Sequence, residues 1–96
     1  MTNGNMSWCY AGSDQVETWP CHVLHRDGCL TVDCDDGFIW RGPAIDGSQF
    51  ELVRSDGGGR GTFTLNPERD ILSGHFQADG YRGEWDIVLE EPVLAS

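Results

Sequence analysis

The sequence predicts a small all-β domain, an antiparallel up-and-down meander of about seven strands closing into a barrel, with a two-layer sandwich as the alternative. Three observations carry this. Apolar and polar residues alternate with a period of two over several short runs; Asp-Gly pairs stand at 27–28, 36–37, 46–47, 56–57 and 79–80, between or beside those runs; and no stretch repeats its apolar residues with helical period. A sheet of this many strands with one apolar face hides that face by curling or by folding into two layers.

Residues 1–17, where Asn, Gly, Ser and Asp interleave, read as an irregular N-terminal arm, with Trp8, Cys9 and Tyr10 packing as a short edge strand or a plug over one end of the core. The barrel domain is expected over 18–91 and a C-terminal tail over 92–96. From Trp19 the strand signals begin. Asp27-Gly28 as a two-residue turn sets Arg26 against Cys29, His25 against Leu30, Val23 against Val32 and Cys21 against Cys34, which gathers Cys21, Val23, His25, Leu30, Val32 and Cys34 on a core face.

The next turn allows two registers. A two-residue Asp36-Gly37 turn would send Phe38 and Trp40 to solvent, whereas a three-residue Asp35-Asp36-Gly37 loop sets Cys34 against Phe38 and Val32 against Trp40. Burying each aromatic is worth roughly 2–3 kcal/mol, so the three-residue loop is expected. Gly42-Pro43 predicts a bulge or strand break, because proline cannot donate to a ladder. Asp46-Gly47 turns the chain into a strand with Phe50 and Leu52 inward, Asp56-Gly57-Gly58-Gly59 is a loop, and Gly61-Thr62-Phe63-Thr64-Leu65 alternates again up to the turn at 66–70.

The clearest element comes last. With Asp79-Gly80 as a two-residue turn, Ala78 meets Tyr81, Phe76 meets Gly83, Gly74 meets Trp85 and Leu72 meets Ile87 on one face, while Gln77 meets Arg82, His75 meets Glu84 and Ser73 meets Asp86 on the other. Glycines opposite aromatics suit tight curvature, with the ring lying over bare backbone.

The chain has 96 residues, enough to bury roughly two-thirds of its unfolded surface in one core. It carries 16 acidic residues against 6 Arg, with no Lys, for a net charge of −10. Nucleic acid and anionic membranes are recognised through basic patches, so neither is expected as a direct partner; a protein with a basic surface is. Met1 to Pro20 has neither the basic start nor the apolar run of a signal peptide, and no later segment reaches membrane-spanning length, which makes the cytoplasm the expected location. In that reducing compartment Cys9, Cys21, Cys29 and Cys34 are expected as thiols, although the Cys21–Cys34 register would allow a bridge.

No chemical constellation stands out. Cys21, His22, His25, Cys29 and Cys34 invite a zinc reading, but on one strand Cys21 and His22 point to opposite faces, and Cys21 and His25 stand about 13 Å apart. Ser73, His75, Glu84 and Asp86 share an outer face, where same-strand neighbours are about 7 Å apart, too far for a serine–histidine bond. Gly57-Gly58-Gly59-Arg60-Gly61 lacks the Lys-Ser/Thr ending of a phosphate loop and the helix that follows one. The expected function is therefore a non-catalytic acidic module, without cofactor or metal, that binds another protein in the manner of an inhibitor, immunity protein or nucleic-acid mimic. Its candidate contacts are Asp33, Asp35, Asp36, Glu84, Asp86, Glu90 and Glu91. The alternative is a barrel holding a small apolar ligand in a pocket of Trp19, Trp40, Tyr81 and Trp85. Open strand edges would also let a second copy pair as a homodimer.

Overall fold

Eight antiparallel strands, each paired with its chain neighbours and the last with the first, close into a barrel: β1 (Thr2–Tyr10), β2 (Glu17–Arg26), β3 (Cys29–Asp33), β4 (Ile39–Pro43), β5 (Gln49–Arg54), β6 (Gly59–Leu65), β7 (Ile71–Ala78) and β8 (Tyr81–Leu89). The computed structural model describes residues 1–93. The barrel, its antiparallel order and the absence of helix among the described residues agree with the sequence expectation; the eighth strand does not.

That strand comes from the segment expected to be an irregular arm. β1 pairs with β2 on one side and β8 on the other, so that Met6 lies opposite both Trp19 and Ile87. Its inward positions include Gly4, Met6, Trp8 and Tyr10, alternating with Asn3, Asn5, Ser7 and Cys9. The period of two is present but weak, because one of these inner positions is a glycine. A side chain at Gly4 would meet the Val88 carbonyl and the Leu89 side chain, so the bare position lets β1 lie against β8. With β1 in place the ring is closed, and the edge strand on which an edge-paired homodimer would depend is gone.

The predicted registers recur in detail. Asp27 and Gly28, and Asp79 and Gly80, all have positive φ, and both hairpins pair as the two-residue turns require. Val32 lies opposite Trp40 across a loop in which Gly37 is left-handed, as expected for the three-residue connection. At Gly42-Pro43 the β4–β5 ladder is interrupted, but the register is the same on both sides, Arg41 with Val53 and Ala44 with Phe50; the break therefore carries no bulge. Gly74 does lie opposite Trp85, but the Trp85 ring covers Gly61 of β6, while the bare backbone of Gly74 approaches the Thr62 carbonyl.

The turns after β2, β4 and β6 gather at one end of the barrel, and those after β1, β3, β5 and β7 at the other. The first end is capped. Val93, within the segment expected as the C-terminal tail, is buried there: its N–H donates to the Arg69 carbonyl at 2.8 Å, and its carbonyl accepts from Arg69 Nε at 2.7 Å. The rest of the expected tail, 94–96, lies outside the described residues. Beneath this cap Val23, Leu30, Phe50, Leu52, Phe63, Leu72 and Ile87 fill the interior, as side chains do in a barrel this narrow. The fold is thus a cup, filled at its base and open at the other end.

Candidate functional site

The open end of the cup holds a cavity of about 250 Å³. Inward positions near the ends of successive strands build it: Met6, Trp8 and Tyr10 of β1, Trp19 of β2, Trp40 of β4, Arg54 of β5, Phe76 and Ala78 of β7 and Trp85 of β8, with Cys34, Asp36, Phe38 and Asp79 from the adjoining turns. Trp85 is the centre of its floor. Its ring stacks on Phe63 at 4.3 Å, meets Trp40 edge-on at 4.7 Å and touches Phe76 at 5.1 Å, while its Nε1 donates to the Thr62 carbonyl at 2.8 Å. A large indole is locked in place with its one polar atom satisfied.

Trp8 and Trp19 form part of the rim, with ring centroids 6.0 Å apart. Trp19 has the inward parity expected of it, yet it stands so near the strand's open end that 42% of its surface remains exposed. Three of the four expected pocket residues, Trp19, Trp40 and Trp85, therefore come together. Tyr81 does not join them: the first residue after the Asp79-Gly80 turn, it stands exposed at the very end of β8 and packs on Tyr10 at 5.4 Å instead.

Sequence reasoning did not place Met6, Trp8, Tyr10, Phe38 or Phe76 at this pocket, and it missed the charged residue buried in its wall, Arg54. Arg54 continues the inward series Phe50, Leu52, Arg54 and is buried at 7% exposure. Asp56 accepts from its Nε at 2.7 Å and from Nη2 at 3.0 Å; Asp79 accepts from Nη1 at 3.0 Å and from Nη2 at 2.8 Å. The guanidinium also lies over the Phe38 ring, 4.2 Å from its centroid. The two hydrogen-bonded carboxylates push Arg54 further above its already high range, and Arg54 in turn holds both carboxyls below the usual carboxylate value. The signal was present in the sequence: an arginine on an apolar parity, with an aspartate two positions on and another at the Asp79-Gly80 turn.

The expected acidic contacts do not form one surface. Asp33, Asp35 and Asp36 belong to the β3–β4 connection at the open end, where Asp33 accepts from the Asp35 N–H at 2.9 Å and Asp36 from the Phe38 N–H at 3.0 Å. Glu84 and Asp86 lie on the outer face of β8, and Glu90 and Glu91 follow it toward the capped end. The outer face also carries a wider groove of about 640 Å³ that includes Ser73, His75, Glu84 and Asp86. There His75 Nε2 stands 3.8 Å from Glu84 Oε1 with both side chains more than three-quarters exposed, a solvated pair.

All four cysteines are free thiols. Cys21 and Cys34 share a hydrogen bond, and that bond, followed by burial, pushes the Cys34 thiol up. Gly57-Gly58-Gly59 serves the arginine cluster, since the Gly58 N–H donates to Asp56 Oδ1 at 2.9 Å. Among the described residues no group of three or more His, Cys, Asp or Glu is arranged to hold a metal ion, and no helix is long and apolar enough to cross a membrane. No family model matches the chain, and no curated protein is significantly similar to it.

Proposed function

We propose that the protein is a binding module whose open barrel end receives a small ligand against its aromatic walls. The observation that carries this reading is the cavity itself, floored by the locked indoles of Trp40 and Trp85 and rimmed by Trp8 and Trp19. Apolar concavities with a few fixed polar groups are where small molecules bind, and here the polar groups are held before any ligand arrives. Arg54, fixed by Asp56 and Asp79, braces one side of the wall. Titration of the intrinsic tryptophan fluorescence with a panel of small apolar compounds tests the reading. A saturable response that Trp19→Ala weakens is expected. A flat response across the panel, together with an unchanged melting temperature, would overturn it.

A second reading keeps the acidic module that binds a basic protein. It is favoured by the turns at the open end, which bring Asp14, Asp35, Asp36, Asp56 and Asp79 to one end of the barrel. Affinity capture from native lysate at two salt concentrations tests it, and a partner retained equally at both would count against an electrostatic interface. The four free thiols fit work in a reducing compartment such as the cytoplasm.

A further inference from the structure

We propose that the open-end cavity selects a small organic cation of the quaternary-ammonium kind, an inference that rests on the ligand-binding reading above and names the class of ligand. Three features of the cavity point the same way.

The first is its charge. The titratable groups at its wall are Asp36, Asp79, Arg54, the thiol of Cys34 and the phenol of Tyr10. Arg54 is already engaged: Asp56 and Asp79 together take four of its five N–H donors, so it has no fork left to offer a ligand carboxylate. Two carboxylates on one guanidinium leave that cluster with a net charge of −1, and Asp36 adds another. Asp79 remains about two-thirds exposed, with lone pairs that face solvent at the rim. An anion entering here meets uncompensated carboxylates, whereas a cation meets attraction.

The second is the wall. Indole and phenyl faces attract cations through their quadrupole, tryptophan most strongly, and cages of such rings are the usual means of holding a quaternary ammonium, which cannot donate hydrogen bonds. The protein already uses this chemistry on itself, with the Arg54 guanidinium centred 4.2 Å above Phe38. The indoles of Trp8 and Trp19, 6.0 Å apart, line the same cavity.

The third is size. At about 250 Å³ the space falls just below the roughly 300–1,000 Å³ of sites for drug-sized ligands, which suits a compact head group and not a long acyl chain.

Three probes of nearly one shape separate the possibilities: choline, its neutral carbon isostere 3,3-dimethylbutan-1-ol, and the anion 3,3-dimethylbutanoate. Each is titrated into the full chain by calorimetry and by tryptophan fluorescence. Choline is expected to bind about tenfold more tightly than the alcohol, with the butanoate weakest. Asp36→Asn, which keeps an oxygen for the Phe38 N–H, is expected to weaken choline about two- to fivefold and leave the alcohol unchanged. Alcohol binding as tight as choline, or an Asn variant that weakens both equally, would overturn the cation preference while leaving the cavity as a ligand site. Binding of none of the three would overturn the inference and count against the ligand-binding reading with it.

Discussion

Arg54 and Asp79, 25 residues apart in sequence, meet in a two-point ion pair that ties the β5–β6 connection to the β7–β8 turn. A backbone bond from the Asp79 N–H to the Gly58 carbonyl at 3.1 Å runs beside it. The pair therefore shapes the open end of the barrel as well as contributing to its stability.

Replacing Arg54 with Met keeps much of the side-chain volume but removes the cation of that cluster, leaving Asp56 the Gly58 N–H. Two carboxylates are left facing each other without a cation, and methionine cannot satisfy them. Because both carboxylates are partly solvated, the loss is expected to fall below the roughly 3–5 kcal/mol of a fully buried broken pair, at about 2 kcal/mol, or roughly 10 °C in Tm. Urea denaturation checks it; a loss below about 0.5 kcal/mol would mean that water replaces the guanidinium at little cost.

The same cluster sets an acid limit. Asp56 and Asp79 are held below their ordinary value in the folded state by Arg54, so their contribution is complete above the unfolded carboxylate value and is lost as pH falls through the folded one. Unfolding midpoints measured from about pH 6 down to pH 2 should fall more steeply for the wild type than for Arg54→Met, in which neither carboxyl is depressed by a cation. Parallel curves would show that the pair does not couple to folding.

Turn chemistry made most of the barrel readable. Asp27-Gly28 and Asp79-Gly80 fix φ locally, and once a register is fixed, a period of two assigns every side chain to a face. β1 was obscured because its inward positions include Gly4, whose emptiness is dictated by β8, a strand more than eighty residues away in sequence. Arg54 was obscured for a related reason: an arginine reads as outward until the carboxylates that neutralise it are known, and one of them is supplied by a distant turn. Of the pocket residues, parity placed Trp19, Trp40 and Trp85, but it could not show that Tyr81 stands beyond the rim, because height along the barrel depends on the stagger of the strands.

At the capped end, Arg69 Nη2 lies 3.0 Å from His25 Nδ1, and since a guanidinium only donates, the imidazole must accept there. Burial, then the Arg69 charge, lowers the His25 value in the folded state. The folded protein thus favours the neutral ring, and its stabilising contribution is present above about pH 6.5 and lost as pH falls through the folded value. His25→Gln retains an acceptor for Arg69 and removes the titration. Between pH 7 and 5 the variant should lose less stability than the wild type; identical losses would place the titration elsewhere.

The final prediction concerns two glycines whose φ is unexceptional. A Cβ at Gly42 would drive into the Glu51 carbonyl, and one at Gly74 into the Thr62 carbonyl; in both cases the obstacle is backbone of the adjacent strand. Both sit where a ladder is interrupted, β4–β5 and β6–β7, so neighbouring strands come closer there than a side chain allows. Gly42→Ala and Gly74→Ala should therefore each cost about 3 kcal/mol, because the strands must separate to admit the methyl group. Gly47 has nothing within 4 Å of the same construction and serves as the control, with Gly47→Ala expected to stay within about 0.5 kcal/mol of the wild type. Chemical denaturation of the three variants side by side decides the matter: similar stabilities at all three positions would mean that the barrel is looser at Gly42 and Gly74 than their backbone contacts require.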